Sequence, residues 1–334
     1  MSADDRAPQT TGEREMRTQE EFFDQFLAVL RIPLVKSAAS GFFDNVRQIQ
    51  SLVQMPDLLF GFLEIEHGIF TSFMSSAQER WSQGIDYVTF LVEHLKKTAP
   101  YSKVGGIPEL PERIRKRRDE VLSHPSYGPM LASSMQVLYS AAVSGSWTAF
   151  ECLAGDLWAA ALNEYPLPLA QAAFSCLDTP EAGELTGKQI SVGLAAKYGF
   201  DLRRSLGTLL KPKFDFTSVR GTQKAYKVFI SSDDVLQNIF EDPVLSELEA
   251  TRHLIVHSAS KVDEEYKKRS GSTLEAGMRL TFTEEKTVEF ARASQMAGFH
   301  LLAFVNDWLG ATLRTGDVPR AGGPPIPTVN LNHK

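Results

Sequence analysis

The sequence predicts an all-α protein in which nearly every regular segment is a helix. Apolar residues recur at helical spacing along most of the 334 residues, and this periodicity is the main signal for amphipathic helices. Only the stretch from Met278 to Phe282 fits a short strand or an extended lead-in. Proline and glycine cluster at a few positions, where they mark breaks between helices. We therefore expect a helical bundle that carries an N-terminal helical extension.

The first hundred residues predict a polar end followed by four helices. Residues 1–18 are polar and charged, which is typical of a disordered segment. Pro33 is expected to kink or end the first helix. The helical patterns cover residues 20–36, 42–53, 58–73 and 78–95. We interpret residues 19–100 as a helical accessory unit, whose apolar density suits an internal bundle and a dimer surface equally well.

The clearest internal break is Gly105-Gly106-Ile107-Pro108. We assign residues 101–127 to a linker with a basic helix, which contains the cations from Arg113 to Arg118. Acidic residues flank this basic run, so we expect it to be a solvated face that aids solubility.

Residues 128–314 are interpreted as the main helical domain. Ser144-Gly145-Ser146 is expected to interrupt its first long helix, at residues 131–164. Thr283 begins a capping-box pattern, but Lys286 stands where an acid is usual, so only half of the signature is present. Residues 315–334 are rich in glycine and proline and are expected to form a disordered tail. The other helices are expected at residues 186–198, 202–210, 218–229, 234–240, 243–257 and 287–313.

Composition predicts a cytoplasmic protein without a membrane partner. The N-terminus lacks the apolar core of a secretory signal, and no stretch approaches 18 uninterrupted apolar residues. A formal net charge of −6 argues against a protein that coats nucleic acid indiscriminately. The only cysteines, Cys152 and Cys176, are too few for a disulfide framework, and Cys152 is expected to be a buried, reduced thiol.

One segment is locally basic. Between Arg203 and Lys227 there are seven cations and one acid, with aromatic residues interleaved. Such a mixture is able to bind an RNA backbone and to stack on unpaired bases. The alternative is that the apolar residues form a core face and the cations its solvated side: Phe216, Val219, Tyr226 and Phe229 against Arg220, Lys224 and Lys227. We favour a core role for the aromatic residues and keep Arg220, Lys224 and Lys227 as candidate RNA-binding residues.

The most informative residues are Arg252 and His257, near the end of the helix predicted at residues 243–257. Arginine offers a planar, permanently charged group that suits phosphate oxygens, and histidine exchanges a proton near neutral pH. The two side chains leave an ideal helix about 140° apart. They would converge on one phosphate if the last turn unwinds, or if a second copy of the helix completes the site.

Two other interpretations of these residues stay open. Arg252 would be structural if it paired with a buried acid such as Glu151 or Asp156, with His257 interacting with the dipole of its helix. His253 and His257 also have the spacing of a two-histidine zinc face, with Glu249 one turn earlier. No compact cluster elsewhere offers further ligands, and no phosphate-binding loop, Gly-x-Ser-x-Gly or metalloprotease motif is present. We therefore expect neither a metal nor a cofactor.

The motif Arg252-His253-Leu254-Ile255-Val256-His257, followed by residues 262–266, resembles the signature of the HEPN superfamily (higher eukaryotes and prokaryotes nucleotide-binding), particularly its bacterial ribonuclease-like branches. The resemblance extends upstream to residues 147–157 and downstream to residues 298–302, and it covers roughly residues 130–313. Many members follow the histidine with asparagine and a nearby glycine, whereas Ser258-Ala259-Ser260 stands here.

This resemblance implies a helical domain of HEPN type that forms a homodimer and joins two Arg/His pairs in one cleft. It implies a metal-independent endoribonuclease that cleaves RNA by attack of the 2′-hydroxyl, in a toxin–antitoxin or phage-defence context. Arg252 would grip the phosphate, His257 would be the acid/base, and His253 would assist. The resemblance also implies an antitoxin or another defence protein as a partner. Members that lack activity imply the alternative, a HEPN-like module for nucleotide or RNA binding or for dimerisation.

Overall fold

The computed structural model describes residues 11–81, 110–166, 190–227 and 234–315. Within these ranges the regular structure is helical, with a short 3-10 helix at Lys211–Lys213 and no β-strand. The all-α prediction is therefore confirmed for this part of the chain. The helices are α1 Thr11–Val29, α2 Pro33–Trp81, α3 Leu110–Leu122, α4 Gly128–Glu164, α5 Val192–Lys197, α6 Leu202–Leu210, α7 Val219–Lys227, α8 Asp234–Phe240, α9 Pro243–His257, α10 Glu264–Ser270 and α11 Glu284–Thr315.

The chain divides into two compact units that do not follow the sequence in simple order. The first takes in the described residues of Met1–Asp24 and Val53–Leu138, and the second those of Gln25–Leu52 and Tyr139–Lys334. The predicted accessory unit of residues 19–100 is thus divided, since residues 25–52 belong with the second unit. No helix in the described residues is both long and apolar enough to cross a membrane.

Several predicted helix boundaries are confirmed. α1 ends before Pro33, which begins α2, because proline is well accommodated in a first helical turn. α9 spans Pro243–His257, and the side chain of Asp242 caps it by accepting a hydrogen bond of 2.8 Å from the Val244 N–H. The Lys286 N–H donates to Thr283 Oγ1 at 3.2 Å, so Thr283 supplies the predicted half of a capping box.

Other expected breaks are absent. α2 continues through Pro56, although proline removes one hydrogen bond of the helix. α4 continues through Gly145, where a Cβ atom would lie 3.3 Å from Ile49 Cγ1, so glycine serves close packing here and does not end the helix. α1 includes residues 11–18, which composition assigned to a disordered segment. The expectations for residues 1–10, 82–109, 167–189 and 316–334 lie outside the described residues.

The first unit contains a buried carboxylate held by the basic helix. Glu64 of α2 has a side chain only 8% exposed. Its Oε1 accepts hydrogen bonds from Arg113 at 3.0 and 2.6 Å, and its Oε2 accepts one of 3.0 Å from Arg117. Arg113 remains exposed, as expected of a solvated basic face, whereas Arg117 is only 21% exposed. Both arginines bind an acid that the sequence spacing could not reveal.

The core of the second unit surrounds α4. Its buried side chains include Trp147, Phe150, Leu153, Leu157 and Trp158. α7 is clamped to this helix by two buried hydrogen bonds, from Trp158 Nε1 to the Ala225 carbonyl at 2.9 Å and from the Tyr226 hydroxyl to the Ala154 carbonyl at 2.7 Å. α9 contacts α7, α10 and α11. These contacts fix the helix that carries the Arg/His motif.

Candidate functional site

α9 turns its apolar side to the core and leaves His253 and His257 on its outer side. Leu245 and Leu248 are fully buried. Leu254 is also buried, whereas Ile255 is only half-buried. Lys286 of α11 also contacts the helix through a 2.7 Å hydrogen bond to Glu247.

Arg252 lies against a carboxylate of α4. Its Nη2 is 3.9 Å from Glu151 Oε2, and the two side chains are 25% and 22% exposed. This is one of the two acids that the sequence offered as a structural partner. The other, Asp156, accepts a 2.6 Å hydrogen bond from Lys211. The separation of 3.9 Å exceeds that of a charge-assisted hydrogen bond, so the pair is a through-space ion pair.

The Glu151 carboxyl is poorly solvated for a charged group. Burial raises its pKa, and nearby Asp215 raises it further, while Arg252, Trp147 and Lys211 lower it without reversing the net increase. Glu151 Oε2 and Trp147 Nε1 are buried and neither makes a hydrogen bond of good geometry. A buried polar atom without a hydrogen bond destabilises the folded state. Glu151 and Trp147 therefore form a polar site in the second unit whose hydrogen-bonding groups are not all used.

His253 and His257 form a pair on the exposed face of α9. Their ring centroids are 4.6 Å apart and their planes are tilted by 44°. Residues four apart lie on one side of a helix, and both imidazoles are exposed. Val256, between them in sequence, is 52% exposed. The structure therefore brings together two of the three predicted catalytic residues at an accessible surface.

The structure does not bring Arg252 and His257 together within one chain. α9 remains regular through His257, and the Ser258 N–H completes its last turn by donating to the Leu254 carbonyl. The last turn does not unwind, so the two side chains keep the angular separation of about 140° that a helix imposes. An unwound last turn, one of the two routes to convergence that the sequence left open, is therefore absent.

The turn after His257 has an uncommon backbone. Ala259 and Ser260 have φ angles of 48° and 62°, in the left-handed region that glycine and asparagine tolerate best. The segment then pairs with residues near Met278, through hydrogen bonds such as Val262 N to Met278 O at 2.8 Å. The expected strand at residues 278–282 is an isolated bridge between Lys261 and Arg279.

The zinc interpretation lacks a third ligand in the described residues. Glu249, one turn before His253, accepts a 2.8 Å hydrogen bond from the Val219 N–H and pairs with Arg269. Across the described residues, no group of three or more His, Cys, Asp or Glu side chains is placed to hold a metal ion.

The basic segment forms an open pocket beside the start of α7. Tyr226, Val219 and Phe216 are buried, which confirms the core role of these residues; Phe229 lies outside the described residues. Arg220 and Lys224 are exposed and line a pocket of about 500 Å³, together with Lys213, Asp215 and Phe214. Lys227, the third candidate RNA-binding residue, is half-buried and does not line this pocket. We call this feature the α7 pocket.

Cys152 does not behave as predicted, since its side chain is exposed. It follows Glu151 on α4 and turns away from the core that Leu153 enters. Partial burial and the carboxylates of Asp156 and Glu151 raise the pKa of its thiol, which disfavours the thiolate that a nucleophile needs.

Comparison of the chain with protein-family models, with curated proteins and with solved structures finds no match. The HEPN resemblance is therefore carried by the motif and its order between helices.

Proposed function

We propose that this protein is a metal-independent endoribonuclease of HEPN type whose active site is completed by two copies of the chain. The observation that carries the proposal is the exposed His253–His257 pair, with rings 4.6 Å apart, on the same helix as the half-buried Arg252. A permanent cation and proton-exchanging imidazoles supply the chemistry that RNA cleavage needs without a metal.

The proposed reaction is a transesterification. The ribose 2′-oxygen attacks the adjacent phosphorus as its proton leaves, the bond from phosphorus to the 5′-oxygen breaks, and that oxygen receives a proton. The products are a 2′,3′-cyclic phosphate and a 5′-hydroxyl. His257 exchanges the protons, Arg252 stabilises charge on the phosphoryl oxygens, and His253 orients or assists His257.

Two copies are needed because one helix directs Arg252 and His257 to different sides. α9 is regular to its end, so a single chain presents either group to a phosphate but not both. An antiparallel approach of two exposed α9 faces would set His257 of one protomer beside Arg252 of the other. The exposed Val256 offers apolar surface for such a contact.

A second candidate function is favoured by the Arg252–Glu151 pair. If Glu151 is the main partner of Arg252, the arginine stabilises the second unit, and the protein is a HEPN-like binding or dimerisation module without catalysis. In that case substitution of Arg252 lowers the stability of the protein, and neither the wild type nor the variant cleaves RNA.

The test is incubation of purified protein with total RNA in excess EDTA. We expect the wild type to produce fragments ending in cyclic phosphate and to leave DNA of the same sequence intact. His257→Ala abolishes cleavage, while His300→Ala, which removes an exposed histidine of α11, serves as the matched control and retains it. Cleavage only after addition of a divalent metal, or equal cleavage by wild type and His257→Ala, would refute the proposal. No cleavage by a wild type that is dimeric and folded would favour the binding module.

A further inference from the structure

The lining of the α7 pocket is predominantly cationic. Three cations, Lys213, Arg220 and Lys224, and one carboxylate, Asp215, belong to its lining. Arg220 and Lys224 are four apart on α7 and therefore lie on one side of the helix. Neither of these two side chains makes an ion pair with another residue of the described ranges. Unpaired cations that converge on a cavity are suited to an anionic ligand.

The carboxylate in the pocket is already engaged. Asp215 Oδ1 accepts hydrogen bonds from the Thr217 N–H at 2.8 Å and the Thr217 hydroxyl at 2.7 Å, and Oδ2 accepts one of 2.7 Å from the Ser218 hydroxyl. Burial raises the pKa of Asp215, but these hydrogen bonds lower it below its usual value. The ionised Asp215 thus stabilises the turn through Thr217 and Ser218 that precedes α7. With three cations and one carboxylate, the pocket lining has a net positive charge.

Three backbone amide groups at the start of α7 already donate hydrogen bonds within the protein. The Val219 N–H donates to Glu249, the Gly221 N–H to the Ser218 hydroxyl and the Thr222 N–H to the Ser218 carbonyl. We therefore assign binding at this pocket to the side chains of Arg220 and Lys224. A volume of about 500 Å³ falls within the range of pockets that hold small organic ligands.

The pocket lies next to the elements that carry the motif. The Val219–Glu249 hydrogen bond joins the start of α7 to α9 one turn before Arg252 and His253. Asp215 is also close enough to Glu151 to raise the pKa of that carboxyl. A strand of nucleic acid held in the pocket would thus lie near the Arg252–Glu151 pair.

We propose that the α7 pocket binds phosphodiester groups of single-stranded RNA through Arg220 and Lys224. The identity of the ligand as RNA rests on the proposed function, while its anionic character rests on the pocket. Phe214, which packs on Trp158 with ring centroids 4.6 Å apart, contributes an apolar wall against which a nucleotide can lie.

The experiment measures binding of a 12-nucleotide single-stranded RNA without terminal phosphates, by fluorescence anisotropy in EDTA at several salt concentrations. His257→Ala is the parent protein, so that the probe stays intact. The pocket variant adds Arg220→Gln and Lys224→Gln to this parent. The matched control adds Arg115→Gln and Lys116→Gln, which remove two exposed cations of α3. Each pair of changes alters the net charge equally, and circular dichroism checks that each variant is folded.

We expect the pocket variant to bind at least about tenfold more weakly at low salt, with a salt slope reduced by about 1.4, as loss of two phosphate contacts to a single strand predicts. The control keeps its affinity within about twofold. Equal weakening of both variants, or an unchanged pocket variant, would overturn the proposal, as would displacement of the RNA by micromolar AMP. If wild type cleaves RNA but the pocket variant binds like its parent, only the pocket assignment fails. If wild type cleaves nothing but pocket-dependent binding persists, only the ribonuclease assignment fails.

Discussion

The guanidinium of Arg252 lies 3.9 Å from the carboxylate of Glu151, so the motif arginine faces an acid of α4 and not the histidines of its own helix. This relationship allows two roles. Glu151 either orients an arginine that acts on a phosphate, or serves as the partner of an arginine that stabilises the domain. The two roles differ in what each substitution does to stability and to cleavage.

A double-mutant cycle separates these roles. Arg252→Ala leaves a largely buried carboxylate without its cation and should cost about 1–2 kcal/mol of unfolding free energy, less than a fully buried pair because both groups are partly exposed. Combining it with Glu151→Gln should recover most of that loss. Urea unfolding at pH 7 measures both. An Arg252→Ala protein as stable as wild type but without ribonuclease activity would assign the arginine to catalysis alone.

Glu151 should also give the protein a characteristic pH dependence. Its pKa is raised in the folded state, chiefly by burial, above the usual 4.5. The folded state therefore binds this proton more tightly, and the stabilisation is complete below pH 4.5 and lost as pH rises through the raised pKa. The stability of wild type relative to Glu151→Gln should fall with increasing pH over this window. A difference that stays constant, or one that grows with pH, would contradict the assignment.

Glu64 should make the opposite contribution in the first unit. Burial raises its pKa, but the hydrogen bonds and charges of Arg113 and Arg117 lower it below 4.5 overall. The resulting stability is present above pH 4.5 and is lost as pH falls through the lowered pKa. Glu64→Gln should cost about 2 kcal/mol at pH 7, because both arginines lose their shared acceptor charge, and the cost should shrink in acid.

Glu112→Gln is the matched control for Glu64, since Glu112 is 76% exposed and pairs with the neighbouring Arg115. Its cost should stay below about 0.5 kcal/mol. Thermal unfolding at pH 7 and in acid measures both variants. Equal effects of the two substitutions would show that Glu64 is no more than a surface charge.

The left-handed turn after the motif predicts a stabilising substitution. Ala259 is exposed with a φ of 48°, a conformation that costs a residue with a side chain about 1–2 kcal/mol. Ala259→Gly should relieve this backbone strain. The greater freedom of glycine in the unfolded chain offsets part of the gain, so the free energy of unfolding should rise by about 0.5–1 kcal/mol. Ala141→Gly, on the exposed side of α4, should instead lower stability by about 1 kcal/mol. Chemical unfolding compares the two, and a destabilised Ala259→Gly protein would contradict the turn geometry.

Among the described glycines of the second unit, Gly207 should be the least tolerant of substitution. A Cβ atom there would lie 2.1 Å from the Ala159 carbonyl oxygen, so α6 could no longer approach the backbone of α4. Gly207→Ala should destabilise the protein by about 2–4 kcal/mol. Gly193→Ala, where nothing lies within 4 Å, should be neutral or stabilising by up to about 1 kcal/mol. Thermal unfolding midpoints of the two variants test this difference directly.

Local signals predicted the helix that carries the motif well. Pro243 at the start and the acids Glu247 and Glu249 in the first half indicated the observed bounds of α9, because proline acts within one turn. The same local reasoning failed between residues 53 and 58, where two helical patterns were separated, and at Gly145. There the packing of long helices outweighs a single unfavourable residue, and that packing depends on parts of the chain that are distant in sequence.

The sequence by itself determined the helical class, the amphipathic faces and the spacing of Arg252, His253 and His257 on one helix, since these follow from periodicity and residue chemistry. Only the tertiary structure decided which acid faces Arg252, which cations hold Glu64, and that Arg220 and Lys224 border a pocket while Lys227 does not. Each of these depends on contacts between residues far apart in the chain. No local sequence pattern predicts these contacts, because they form only when the helices pack their apolar faces together in one arrangement.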